Sequence, residues 1–468
     1  MEANLEKAKS FFNQKKYQET IDTCNKILAI DPNEIEALRL KGKSLSAINQ
    51  TEEARKYFNQ ALSLKPDDYE LLKELGNSHY FAGDHQTAKN YYQKALLINE
   101  NYAPALTMLG SVELNLGNQE EALSLLIKAT ECDPKLVPAW INLANGYVQI
   151  GKVIEAEDIC RRTIELSPNF TNAHFLLANS LIAQKKLKEA EHHLRKTIEL
   201  NPDFYQAHLN LGVVLKDLGN LEYAERSVRR AIEINPNLYS TYFFLSTILI
   251  DQKKLEEAEA TLRKTIELNP NYAKAYLNLG LILNDLNQFK EAELLTRKAI
   301  KLQPNYVMAY SNLGIILNHL NILKEAELST RKAIELNPNC VKAYSNLGLI
   351  LSYLGNSKEA EVFHRKAIEF QPDFAEAHNN LANVLLKRMN FAEGWHHYEW
   401  RWDVNDRNTF IGERLATSKP EWVPTHSGRL LLWGEQGIGD QILFASLIPE
   451  LAEKVDKLIV KIDKRLIS

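Results

Sequence analysis

Three observations predict an all-α solenoid, a chain made of one helical hairpin stacked many times. First, ten of the fifteen prolines lie on a 34-residue period, and Glu100 stands in the one skipped place. They are Pro32, Pro66, Pro134, Pro168, Pro202, Pro236, Pro270, Pro304, Pro338 and Pro372. Second, apolar residues recur within each period at helical spacing. Third, small residues recur at fixed offsets from the prolines. A fixed period of this size is the signature of stacked supersecondary units. Such a chain buries its core between neighbours and offers its surface, so binding rather than catalysis is the leading expectation.

The unit at 307–338 justifies each element in turn. Tyr310, Leu313, Gly314 and Leu317 hold the i, i+3, i+4, i+7 positions of one helical face. Leu323, Ala326, Ala333, Ile334 and Leu336 repeat the device in a second helix, with Asn318 to Asn321 as the turn. Pro338 ends the unit, because it cannot donate a backbone bond and disfavours a helical residue before it. Gly212 with Ala224, Gly280 with Ala292, Gly314 with Ala326 and Gly348 with Ala360 keep one offset. A mid-helix glycine costs about 1 kcal/mol against alanine, so a large side chain is expected to pack across from each.

On these residues the unit resembles the tetratricopeptide repeat. Trp140, Leu143, Ala144, Tyr147, Ala156 and Pro168 match that pattern in order. The resemblance covers 1–374 as eleven units and implies a right-handed superhelix of helix-turn-helix hairpins. The first unit departs most, with Thr20, Cys24 and Ile27, as a terminal cap should.

Composition narrows the function. A formal net charge of −4 with 25% charged residues leaves no basic tract for nucleic acid or an acidic membrane. The N-terminus lacks the apolar core of a secretory signal, and no run approaches a membrane span. The chain is therefore expected in the cytoplasm, with Cys24, Cys132, Cys160 and Cys340 as small buried hydrophobes. Seven Glu-to-Arg pairs at i, i+4 run from Glu157–Arg161 to Glu361–Arg365 and predict a solvated charged face.

One row of residues stands out from the apolar face. At 100° per residue, Asn312 points almost directly away from the core side of its helix, and Asn142, Asn210, Asn278, Asn346 and Asn380 hold the same place. An amide offers two donors and an acceptor, which suits the backbone of an extended peptide. Bridging between neighbouring helices is the other reading of the same row. The array resembles that of the O-linked N-acetylglucosamine transferases, whose resemblance implies asparagines that hold substrate chains along a concave groove. Leu176 and Phe244 interrupt the row in its earlier part.

After Pro372 the pattern changes. A degenerate twelfth unit and aromatic joint is expected over 375–402, a linker over 403–428, and the start of an α/β domain over 429–468. Five of six tryptophans lie beyond residue 394. The adjacent His396 and His397 have no third metal ligand at a supporting spacing, so packing is the expectation there. Leu430–Trp433 and Leu458–Ile462 read as strands, with a glycine turn over Gly434–Asp440 and a helix over Gln441–Lys454. Together these segments resemble the glycosyltransferase-like domain similar to the bacterial heptosyltransferases, which have two Rossmann-like halves. The resemblance implies Asp440 as a general base and Gly437 and Gly439 as a ligand loop; a plain helix cap is the other reading of Asp440. Only an incomplete Rossmann-like fragment is present, so the chain alone is expected not to be catalytic.

The expected function is thus a scaffold binding extended polypeptide, the substrate-targeting arm of a glycosyltransferase. The alternative is a glycosyltransferase whose catalytic part is mostly missing. Protein or peptide partners are expected, with no nucleic acid, membrane, metal or cofactor, and a sugar nucleotide only if the missing domain is supplied.

Overall fold

The computed structural model describes residues 2–404, 429–433 and 448–461. It divides into two units, residues 1–254 and 255–468. The first holds helices α1 (Glu2–Asn13) to α15 (Tyr239–Asp251), and the second begins with α16 (Leu255–Leu268). In the first unit odd and even helices pair as antiparallel hairpins from α1·α2 to α13 (Tyr205–Asp217)·α14 (Leu221–Ile234). In the second the pairs are α17 (Ala273–Asp285)·α18 (Phe289–Leu302), α19 (Val307–His319)·α20 (Leu323–Leu336), α21 (Val341–Tyr353)·α22 (Ser357–Phe370) and α23 (Ala375–Lys387)·α24 (Phe391–Tyr398).

The hairpin turns share one backbone device that side-chain identity hides. Residues 15, 49, 83, 117, 151, 185, 219, 253, 287, 321, 355 and 389 all have positive φ. Five are glycines, which adopt this conformation freely; the others are Asn, Lys or Met. The turn also falls later than sequence suggests. Asn318 and His319 are still helical, because Asn321 rather than Asn318 supplies the left-handed step.

Between hairpins, the residue before proline is extended, as the proline ring requires. Asn337 has φ −144° and ψ 97°, and its side chain accepts from the Asn339 N–H at 3.0 Å. The equivalent bond recurs at Asp31, Asn99, Asp133, Asn201 and Asn269. At these six places an Asn or Asp side chain closes the unit with a self-contained turn.

The expected large side chain is found across from Gly348, which faces the His364 ring, but Gly212, Gly280 and Gly314 face only Val228, Thr296 and Thr330. A Cβ on Gly42 would lie 2.5 Å from the Phe58 ring, and one on Gly76 the same distance from Tyr92. At Gly212, Gly280 and Gly314 the backbone carbonyls of Ala224, Ala292 and Ala326 stand 3.2–3.3 Å from that point. Leu313, Leu317, Ala326 and Ala333 are buried, so the core runs between the helices of each hairpin and its neighbour.

Each of the seven expected Glu–Arg pairs is formed, at 2.7–2.9 Å. Five of these arginines also reach the next hairpin. Arg263 holds Glu291, Arg297 holds Glu325, Arg331 holds Glu359 and Arg365 holds Glu393, at 2.6–2.8 Å, and Arg161 meets Glu189. The charged face is thus a set of clamps between hairpins as well as a solvated stripe. Cys24, Cys160 and Cys340 are buried as expected, but Cys132 is exposed, because it ends α8 (Gln119–Cys132) outside the packed stripe.

After α24 a short 3-10 turn, Glu399–Asp403, folds back so that Trp400 stacks on His378 at 4.2 Å. The aromatic cluster packs on its own hairpin, while Trp395 stays 48% exposed. Further on, β1 (Arg429–Trp433) and β2 (Lys457–Lys461) pair in parallel, Arg429 opposite Lys457, with α25 (Ile448–Lys454) between them in sequence. These strands are the exception in an otherwise all-α set of described residues.

Candidate peptide-binding face

Within each unit, a first helix touches the first helix of a neighbouring hairpin, from α1·α3 (Ile35–Ala47) to α9 (Val137–Gln149)·α11 (Thr171–Ala183) and from α17·α19 to α21·α23. Among the described residues, second helices do not pack on one another to that extent. First helices therefore line the shorter, inner side of each unit.

Asn142, Asn210, Asn278, Asn312, Asn346 and Asn380 all sit half-buried on these helices. They are not turned wholly outward. The Asn142 amide donates to Ser111 Oγ at 2.8 Å, Asn210 to Asn179 Oδ1 at 2.7 Å, and Asn346 to Ser311 Oγ at 3.0 Å. Each bond spans neighbouring first helices, so half of the row bridges hairpins. The side-chain amides of Asn278 and Asn380 make no hydrogen bond to any described residue. The Asn312 amide nitrogen is enclosed without an acceptor, an arrangement that costs about 1–3 kcal/mol.

A second row lies beside the first and escaped sequence reading. Leu281, Ile315 and Leu349 stand three residues after Asn278, Asn312 and Asn346, hence on the same face. Leu281 is 38% exposed, and Ile315 and Leu349 are half-buried. Asn383 continues the row with an exposed amide. The 34-residue spacing was the available signal, but leucine and isoleucine merge with the core pattern in sequence.

Another row anchors five of the first helices. Trp140, His174, His208, Tyr276 and His378 each donate a ring N–H or hydroxyl to the proline carbonyl six residues earlier, at 2.9–3.2 Å. This explains why the position takes a ring with a polar edge. In two hairpins a second histidine joins it: His193 against His174, and His397 against His378. The partner of His397 is thus a residue 19 positions away, while its neighbour His396 is exposed. Among the described residues, no three His, Cys, Asp or Glu side chains gather as a metal would need.

Gly437, Gly439, Asp440 and the glycine turn lie outside the described residues, as do 405–428 and 441–447. The strand pair β1–β2 frames that segment in sequence.

The tetratricopeptide-repeat model matches residues 273–306 and 341–374, and a second model of that repeat matches 35–68. The model of the C-terminal domain of cilia and flagella-associated protein 70 matches 68–271. No curated protein sequence matches the chain. Among solved structures, YrrB, described as a tetratricopeptide protein with an unusual peptide-binding site, is 24% identical with a TM-score of 0.36, covering 39% of this chain and 95% of its own. The Cut9–Hcn1 hetero-tetramer of APC/C gives 13% identity and a TM-score of 0.44, covering 81% of this chain and 95% of that one. Yeast Tom70 gives 18% and 0.39, covering 86% and 91%. The chain carries tetratricopeptide repeats at 35–68, 273–306 and 341–374, and the described helices pair as the hairpins such repeats form.

Proposed function

We propose that the chain binds extended polypeptide along its first-helix face, as the substrate-presenting arm of a glycosyltransferase, in the cytoplasm. On this proposal eleven repeat units run over 1–374, followed by the aromatic joint, a linker and the start of an α/β domain. The observation that carries the reading is the paired row in the second unit. Amides at Asn278, Asn312, Asn346 and Asn380 run beside aliphatic side chains at Leu281, Ile315 and Leu349. An extended chain alternates backbone amides with side chains, and the two rows offer a partner to each. Asn278 and Asn380 have amides free for such a partner, while Asn346 has its oxygen left after bonding Ser311. Asn312 would turn outward from an enclosure where its donor is unpaired. In the first unit, Asn142 and Asn210 are tied to Ser111 and Asn179, so that stretch contributes less.

The test is fluorescence anisotropy with a labelled peptide of serine, threonine and valine kept extended by interspersed prolines. Changing Asn278, Asn312 and Asn346 together to Ala should weaken its binding while helicity by circular dichroism survives. Unchanged affinity would sink the proposal.

A second reading is favoured by the parallel pairing of β1 and β2 around α25. Parallel neighbours need a crossover connection, usually helical, as at the start of a Rossmann-like half. Under this reading the chain belongs to a sugar-nucleotide-dependent glycosyltransferase, with Gly437 and Gly439 in the ligand loop and Asp440 as base. It predicts sugar-nucleotide binding, by calorimetry, only when a second such half is supplied. No binding in that combined protein would end it.

A further inference from the structure

The outer side of the first unit holds an open pocket of about 440 Å3 between α12 (Leu187–Leu200), α13 and α14. Its existence follows from one substitution within the repeat. In the preceding hairpin, His193 fills the corresponding place and meets His174 Nδ1 at 3.0 Å. Thirty-four residues later that place is Ser227, while the first histidine is kept as His208. The smaller side chain leaves the space unfilled, with Ile198 and Leu211 as apolar lining.

The rim is basic. Arg195, Arg226 and Arg230 border the pocket, with Glu199 as the one acid among its lining residues. Arg195 is held by Glu191, Arg230 by Glu233 and Asp203, and Glu199 by Lys196. Arg226 differs. It lies over the Tyr223 ring at 5.5 Å and, among the described residues, has no carboxylate partner. His208 donates its Nε2–H to Pro202, so the Nδ1 lone pair remains as an acceptor, and no described residue donates to it.

We propose that this pocket is a docking site for an acidic peptide segment with a single large apolar anchor. The anchor would enter against Ile198 and Leu211, filling the space that Ser227 leaves. A flanking carboxylate would pair with Arg226, whose planar guanidinium is suited to carboxylates. A backbone N–H would donate to His208 Nδ1, a contact that a bare anion does not supply. The site lies within the first unit, and it does not depend on the reading given to the asparagine row of the second.

The probe is a fluorescein-labelled peptide with one phenylalanine flanked on both sides by glutamate and aspartate, read by anisotropy with the full chain. It should bind, and more weakly as salt rises. Arg226→Glu should weaken it by about tenfold or more, the loss of one charge-assisted contact. Ser227→Phe, which occupies the pocket, should do the same, with circular dichroism showing both variants folded. Replacing the phenylalanine by alanine, or the acids by lysines, should abolish binding. The joint alanine change at Asn278, Asn312 and Asn346 should leave this peptide's affinity unaltered. No binding by the unmodified chain overturns the proposal. So does equal affinity in the Arg226 and Ser227 variants, or retained binding of the alanine peptide, since charge alone would then explain it.

Discussion

Nδ1 of His174 lies 3.0 Å from Nδ1 of His193, and this contact fixes the proton inventory of both rings. His174 donates Nε2–H to Pro168 at 2.9 Å, so its Nδ1 is the acceptor and His193 is the donor. The bond needs a proton on His193 Nδ1 and none on His174 Nδ1, and a proton added at His193 Nε2 leaves it in place but puts a charge into a buried site. Burial first, then the nearness of His174 and His192, pushes His193 down to about 4 from its ordinary 6.5. Glu189 pulls the other way and Arg161 adds to the depression.

This arrangement predicts acid sensitivity with a definite window. Between pH 6.5 and about 4 the unfolded chain binds the proton that folded His193 refuses. Its contribution to stability is therefore complete above the unfolded value and falls as pH drops towards about 4. His193→Leu, the residue found at Leu125, should lower stability at neutral pH by stranding His174 Nδ1, yet flatten the dependence in that window. Thermal melts of both proteins across the range provide the check. A stability difference that stays constant with pH would refute the assignment.

His364 makes a second, sharper case. It is fully enclosed against Gly348, and neither ring nitrogen has a hydrogen-bond partner. Burial alone pushes it down to about 4. Phe58 fills the equivalent place against Gly42 without polar atoms to satisfy. His364→Phe should therefore stabilise the second unit by about 1–3 kcal/mol, the desolvation of an unpaired buried group, with the gain growing as pH falls below 6.5. Urea unfolding at neutral and mildly acidic pH measures it, and a destabilised variant would show that the imidazole shape, not its polarity, is what the site selects.

Met389 carries the left-handed step of the last hairpin turn at φ 63° and is 78% exposed. It gains little from its surroundings and bears the strain of a β-carbon in that conformation. Met389→Gly should raise stability by about 1 kcal/mol, offset in part by the freer unfolded chain. The converse change, Gly355→Met at φ 83°, should lower it by a similar amount. Paired thermal melts compare the two; equal and opposite shifts are expected, and no shift in either would remove strain from the account.

That turn also shows what sequence could and could not reveal. The prolines, the Glu–Arg pairs and the helix-interior glycines were legible because each has one physical cause and little freedom of residue type. The left-handed ring was not, since Lys185 and Met389 tolerate the same φ as Gly151 at a modest penalty. Helical periodicity also says nothing about contacts across a turn. His378 with His397 and Arg331 with Glu359 join residues 19 and 28 positions apart, beyond any single helix. The asparagine row was visible as a pattern, but its bonds to Ser111, Asn179 and Ser311 required the neighbouring helix.

Arg331 is the best place to test the clamps between hairpins. Its guanidinium holds Glu327 of its own helix at 2.8 Å and Glu359 of the next hairpin at 2.7 Å. Its side chain is 40% exposed, so each contact is screened, and an exposed pair contributes about 0.2–1 kcal/mol. Arg331→Gln should cost little more than that sum at low salt and almost nothing at high salt. Arg331→Lys keeps the charge but loses the fork that reaches two carboxylates at once. It should retain the pair within α20 and lose the reach to Glu359. Combining either change with Glu359→Gln separates the two, because only the bond between hairpins can contribute to their coupling. Urea melts of the four proteins at low and high salt would measure that coupling. A value near zero at low salt would mean that the clamps follow from the stacking of the hairpins and do not help to set it.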